Sequence, residues 1–295
     1  MRYTAAAITD RGRKRASNED AFGYSVEHGV YLVCDGMGGA AAGEIASSLA
    51  VEEVLRLVTE RREGRREALN GQVQYSQAQN FQAQIGQAQI GQAQIGQAQN
   101  GNTPGPIPQI AEEAVVAANE AIHSRSQRNL RLSGMGTTLV GLLAGLPDEE
   151  PRVWILNVGD SRCYRLRKGR IQLCTRDHSL VEEQVRLGRM TRAEAARSPL
   201  RNVITRALGT QKYVTPDVIE AEVEPGDLFL LCSDGLSREL SDEKIESLLN
   251  TPAPGPESSS GPSPVQLEEL CARLIQAANK AGGHDNITCL IVRVD

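Results

Sequence analysis

Four aspartates stand where apolar, strand-like runs end or begin. In VYLVCDGMGGAAAG, residues 30–43, such a run reaches Asp35-Gly36 before glycines lead into a helix. LFLLCSDGL carries Asp234-Gly235 after a second run, LNVGDSR carries Asp160 after a third, and GGHDNITCLIV sets Asp285 just before a fourth. Each aspartate alone reads as a turn or cap residue. Four at strand ends can meet on one rim of a sheet. Carboxylates gathered there raise one another's pKa, so the cluster needs compensating positive charge, and two divalent cations balance four carboxylates. A donor set of oxygens alone selects hard ions, Mg²⁺ or Mn²⁺, over zinc. His28, His123, His178 and His284 show no paired spacing, and the six cysteines include no CxxC.

Other chemistries fit less well. Gly36-x-Gly38-x-x-Ala41 matches the relaxed dinucleotide fingerprint, but that reading requires a second strand with an acidic end about 20 residues on. Residues 51–67 are instead a helix followed by RREGRRE. Leu231-Cys232-Ser233-Asp234-Gly235 lacks the first glycine of a nucleophile elbow. Asp177, His178 and Ser179 are adjacent, and neighbours in sequence rarely face one another as a triad must. A covalent serine or cysteine enzyme is disfavoured.

The elements that must position the aspartates are short. Strand-like segments fall at 3–9, 30–34, 136–144, 153–158, 163–166, 171–175, 218–223, 227–232 and 287–294, with a hairpin signal at Lys168-Gly169. Apolar residues at helical spacing mark helices at 44–62, 111–127 and 265–281. Strands cluster together instead of alternating with helices, which predicts an antiparallel α+β fold. Residues 72–109 are Gln/Gly/Pro-rich, and 251–264 are Pro/Ser/Gly-rich. Setting those two stretches aside leaves 243 of the 295 residues, enough for one large domain or two. QAQIG occurs at 82–86, 87–91 and 92–96. A five-residue step turns about 140° on a helix and alternates faces on a strand, so its isoleucines never share a face. The stretch reads as a weakly ordered insertion between two helices, with a docking segment as the other reading.

Composition narrows the partners. With 32 basic against 37 acidic residues and a net charge of −5, nucleic acid is excluded as the main ligand. The longest apolar run, at 137–147, is far short of the roughly 18 residues of a membrane span, so no membrane partner is expected. MRYTAAAITDRGR contains no apolar segment of signal-peptide length. Cys34, Cys232 and Cys289 sit singly in apolar runs, as inert reduced thiols of a cytoplasmic protein do.

The ordered set TDRGRKRASNEDAF (9–22), VCDGMGG (33–39), GMGTTLV (134–140), VGDSRCYRL (158–166), RDHSLV (176–181), ITRALG (204–209), LCSDGL (231–236) and GHDNITCLIV (283–292) resembles the protein phosphatase 2C family, in its short bacterial form. These are metal-dependent serine/threonine phosphatases. The resemblance implies an α-β-β-α sandwich, two antiparallel sheets flanked by helices, lengthened here by the two low-complexity insertions. On that basis Asp35 bridges two Mn²⁺ or Mg²⁺ ions, with the Gly36 carbonyl on one of them and Asp234 and Asp285 on the other. Asp20, beside Glu19, holds water bound to the ions, and Asp160 serves a third, weaker ion. Arg15 grips the substrate phosphate, and Thr137 and Thr138 support the site from a neighbouring strand. A water bridging the two ions attacks phosphoserine or phosphothreonine of a protein substrate, opposing a serine/threonine kinase.

Two departures stand out. Metazoan members carry histidine where this chain has Met37, and many bacterial members carry a polar residue where it has Ala40. Residues 176–216 correspond to the variable flap beside the family's active site. They read either as a solvated helix pair or as a surface on which Arg189, Arg192, Arg197 or Arg201 meets a phosphopeptide. The ligand set spans Asp20 to Asp285, so residues 1–295 are expected to form a single catalytic domain. The alternative function is a catalytically silent signalling or binding module on the same fold.

Overall fold

Alternation along the strands decides the layers of the fold. In β3 (Val30–Met37), Val30, Leu32 and Cys34 pack to one side with helical residues, while Tyr31 and Val33 pack to the other with residues of a second sheet. Both sides are buried, so the sheet needs a covering layer on each face. The structure is a computed structural model that describes residues 1–85, 106–145, 151–251 and 263–295.

One sheet runs β1 (Tyr3–Asp10), β11 (Ile287–Val294), β10 (Leu228–Cys232), β7 (Arg162–Arg167), β8 (Arg170–Leu173). The other runs β2 (Asp20–Ser25), β3, β5 (Leu139–Ala144), β6 (Arg152–Val158), β9 (Asp217–Glu222), with the short β4 (Gly136–Thr137) also on β3. All pairings are antiparallel, as the clustering of strand signals predicts. Phe229, Leu231, Leu290 and Val292 of the first sheet meet Tyr31, Val140, Leu142 and Ile155 of the second in a buried apolar inner layer. Helices α1 (Ala40–Ile85) and α2 (Ile107–Arg128) cover the second sheet. Helices α5 (Asp234–Ser237), α6 (Asp242–Asn250) and α7 (Pro264–Ala281) cover the first. A small pair, α3 (Leu180–Arg186) and α4 (Arg192–Arg197), lies between β8 and β9 in the chain.

The expected strands recur with shifted ends, and the hairpin at Lys168-Gly169 has both residues at positive φ, 50° and 77°, as a two-residue turn requires. Three expectations need correction. The segment 136–144 is not continuous: it breaks at Thr138, whose polar groups turn to Asp35 instead of the ladder. The helices expected at 44–62 and 111–127 are longer, since α1 continues to Ile85 and α2 begins at Ile107, so both reach into the stretch 72–109. Gln, Ala, Arg and Glu are good helix formers, and no proline interrupts 40–85, so the backbone stays helical without an amphipathic stripe. Most of the QAQIG repeat lies outside the described residues. The loop drawn at 251–264 is shortened at its end, where Ser263 caps α7 and Pro264 takes its first position; residues 252–262 lie outside the described residues. Strand β2 has too few apolar residues to stand out in the sequence.

Candidate active site

The site begins with a strand pair. In the β2–β3 ladder, Asp20 lies opposite Asp35, so two carboxylates start from adjacent strands. The Asp35 backbone is clamped from β4 and the residue after it. Its N–H donates to Thr138 Oγ1 at 3.0 Å, and its carbonyl accepts from Thr138 N and from Thr137 Oγ1, both at 2.9 Å. The next residue must be glycine. A Cβ on Gly36 would lie 2.2 Å from the Gly43 carbonyl oxygen and 2.5 Å from that of Glu19, so only glycine lets the first turn of α1 abut the strand.

The other sheet supplies the opposing carboxylates. Asp234 opens α5, two residues after β10, and Asp285 lies two residues before β11. Because β10 and β11 are paired neighbours, both fall on the same edge. Asp160 follows β6 in a turn closed by His178, whose N–H donates to the Gly159 carbonyl at 2.8 Å while its Nδ1 accepts from Gly159 N at 3.2 Å. Gly159, with φ 107°, packs against Thr138 so closely that a Cβ would sit 2.6 Å from the threonine methyl.

Mutual repulsion and burial mark these groups. Burial, reinforced by Asp285, pushes the Asp20 pKa up to about 6, against hydrogen bonds from Thr288 and Ser233 that favour the charged form. Burial and Asp160 push Asp234 up to about 7, with Arg238 opposing. Burial raises Asp35 well above the usual carboxylate range, and Asp20, Asp234, Asp160 and Asp285 each add to it. Asp160 is raised by burial and partly relieved by Arg238.

Arginines answer this charge. Arg15 Nη2 lies 2.7 Å from Asp285 Oδ2, and Arg238 Nη2 lies 2.9 Å from Asp160 Oδ2 and 2.5 Å from Asp234 Oδ2. With carboxylates turned to these cations, no three Asp, Glu, His or Cys side chains converge as a ready-made metal cage among the described residues. The donor set nevertheless fits hard cations. Asp20 Oδ1, Asp160 Oδ1 and Asp234 Oδ1 are buried with no hydrogen-bond partner, and a buried carboxylate oxygen left unpaired is costly.

Arg15, Asp35, Gly36, Asp234 and Asp285 line one cleft of about 490 Å³, together with Arg238. Asp20 lies beneath it, out of the lining. Asp160 lines a second cavity of about 320 Å³ that shares Asp234 and Arg238 with the first. Of the flap arginines, Arg192 and Arg201 line this second cavity, whereas Arg189 and Arg197 line neither. Met37 lines the cleft. Arg238, Ser233, Thr288 and Asn286 were not visible as site residues. Only Arg238 carried a signal, since it stands four residues after Asp234 on a helical turn.

Four layers with paired antiparallel sheets at the centre and an aspartate-rich cleft on one edge define an α-β-β-α sandwich with a hard-cation type of donor set. The chain belongs to the protein phosphatase 2C family, whose sequence model matches residues 9–269. It is similar to the serine/threonine protein phosphatase PstP of Mycobacterium tuberculosis, with 34% identity over 297 residues, covering all of this chain and 45% of that protein. It thus spans less than half the length of that relative. The serine/threonine phosphatase stp of Listeria monocytogenes is 31% identical over 290 residues, covering 97% of this chain and 94% of the relative. The crystal structure of the PstP catalytic domain in complex with two manganese ions superposes with a TM-score of 0.72 at 31% identity, covering 99% of each chain.

Proposed function

We propose that this chain hydrolyses phosphoserine and phosphothreonine in proteins, using divalent cations held at the acidic cleft. One observation carries the reading: Asp35, Gly36, Asp234 and Asp285 reach a single cleft from both sheets, with Arg15 beside them. Asp35, the Gly36 carbonyl, Asp234 and Asp285 would hold two ions, Mn²⁺ or Mg²⁺, as the two manganese ions of the PstP domain support. Asp160 would be the donor for a third. When bound, the cations supply Lewis acidity toward phosphoryl oxygens and make water a competent nucleophile near neutral pH.

The protein's own side chains do the rest. Asp20, fixed by Ser233 and Thr288, presents its free Oδ1 as an acceptor that orients water below the cleft. Arg15 is half exposed and pairs only at its Nη2, so its guanidinium can exchange Asp285 for a phosphate in a two-pronged grip. Cys34 is buried beside the site with its thiol pKa pushed far up by that burial, which removes it as a nucleophile. No serine or cysteine lines the cleft among the described residues. This reading takes water as the attacking group, without a covalent intermediate.

The wider assignments follow from the same chemistry. The substrates are products of a serine/threonine kinase, which this reaction opposes. All six cysteines are free, five of them buried, which supports a reducing, cytoplasmic setting. No helix among the described residues is long and apolar enough to cross a membrane. The proposed ligands run from Asp20 to Asp285, and β1 pairs with β11 along its whole length, so 1–295 acts as one catalytic unit. Hydrolysis of a phosphothreonine peptide with Mn²⁺, with and without chelator, tests the assignment. Activity that survives metal removal, or an active Asp35→Asn protein, would overturn it.

A further inference from the structure

We propose that Arg238 is a tethered cation that competes with a divalent ion for the Asp160–Asp234 pair, so that this position is filled from within the chain. The inference rests on the two-cation reading above. A single nitrogen, Arg238 Nη2, lies between Asp160 Oδ2 and Asp234 Oδ2, at 2.9 and 2.5 Å. Both carboxylates are buried, and each keeps an Oδ1 with no partner, so the pair has donor capacity beyond what one guanidinium uses. Arg238 is placed there by the chain: it follows Asp234 by one helical turn and its N–H donates to the Asp234 carbonyl at 2.8 Å. It lines both the cleft and the second cavity, and so stands at the boundary between them.

Charge points the same way. Asp20, Asp35, Asp160, Asp234 and Asp285 are five carboxylates whose fields reach one another. With Glu19 and Arg15, which also line the cleft, six carboxylates are balanced by two divalent ions and the two guanidiniums of Arg15 and Arg238. A third ion alongside Arg238 would leave excess positive charge, so the two exclude each other by charge as well as by space. Arg162, which also lines the second cavity, cannot substitute, since it is bound in two-pronged fashion to Asp177 at 2.9 and 2.7 Å. A third ion therefore enters only when Arg238 swings out.

Calorimetric titration of the metal-stripped full chain with Mn²⁺ tests this. The wild type should bind two ions, with any third event weak. Arg238→Gln and Arg238→Met, which keep bulk without charge, should gain a third event at least about tenfold tighter. Arg238→Lys should resemble the wild type, and adding Asp160→Asn to Arg238→Gln should remove the third event. Circular dichroism establishes which neutral variant is folded, and one suffices. A two-ion wild type with an unchanged third event in the neutral variant overturns the role of Arg238 alone. A wild type that binds no Mn²⁺ overturns the two-cation reading and this inference together.

Discussion

Asp20, on the first residue of β2, accepts a hydrogen bond from Thr288 of β11 at 2.7 Å, and that bond joins the two sheets directly beneath the acidic cleft. Ser233, the residue before Asp234, donates to the same oxygen at 2.8 Å. One buried carboxylate thus ties together the strand that faces Asp35, the turn that carries Asp234 and the strand that follows Asp285. The knot links the cleft's two walls.

Loosening the knot should weaken ion binding before it harms the fold. Ser233→Ala combined with Thr288→Val removes both donors to Asp20, and a supporting group of this kind is worth about 10–100-fold in metal affinity. Calorimetry with Mn²⁺ should show that loss with a near-native circular dichroism spectrum. Unchanged affinity would mean that Asp20 is positioned by packing alone.

Losing one of the proposed ion ligands should be more severe. Asp35→Asn or Asp285→Asn should reduce turnover of a phosphothreonine peptide by roughly 10³-fold or more, since the proposed chemistry depends on cations that these carboxylates hold. Steady-state kinetics at saturating Mn²⁺ decides the matter, and turnover within tenfold of wild type would contradict the assignment.

Stability without metal should fall as pH rises. Asp20 at about 6 and Asp234 at about 7 bind their protons more tightly than an unfolded aspartate near 4, and Asp35 and Asp160 are displaced in the same direction. The folded state then holds more protons, so their contribution is fully present below about pH 4 and is lost as pH rises through about 6 to 7. His178, depressed chiefly by burial, works the other way up to about pH 6.5, but it is one group against four. Urea denaturation in chelator should show a loss on the order of a few kcal/mol between pH 5 and 8, and saturating Mn²⁺ should restore it. Metal-free protein that grows steadily more stable over this range would contradict the repulsion argument.

Gly36→Ala should be destabilising by roughly 2–4 kcal/mol, because its Cβ would meet two backbone carbonyls and not a movable side chain. Chemical denaturation measures it directly. A change below about 0.5 kcal/mol would show that α1 can move away from β3 freely.

Asn286 holds the Arg15 loop: its amide donates to the carbonyls of Arg11 and Ser17, and its oxygen accepts from Glu19 N. Asn286→Ala should raise KM for a phosphopeptide several-fold through Arg15, more than it lowers kcat, and speed amide exchange in residues 11–18. Equal effects on KM and exchange in distant loops would indicate general destabilisation instead.

How far the sequence could be read depended on whether a signal was local. Asp35, Asp160, Asp234 and Asp285 were legible because each stands at the end of an apolar run, where the pattern breaks. Arg15 and Asp20 needed the resemblance to a known family, since nothing in their own neighbourhood distinguishes them. The end of α1 was misplaced because residues after 66 carry good helix formers without the periodicity that marks a buried face.

The amino-acid order by itself determined the antiparallel α+β character and which carboxylates could gather, because strand alternation and turn residues act over a few positions, while the four-layer arrangement came only with the family resemblance. Only the tertiary structure decided their partners. Residues 20, 233 and 288 meet because β2 and β11 lie on facing sheets. Arg238 reaches Asp160 across a separation of 78 residues. Such pairings depend on how sheets stack and where a side chain ends, and no short-range pattern encodes that.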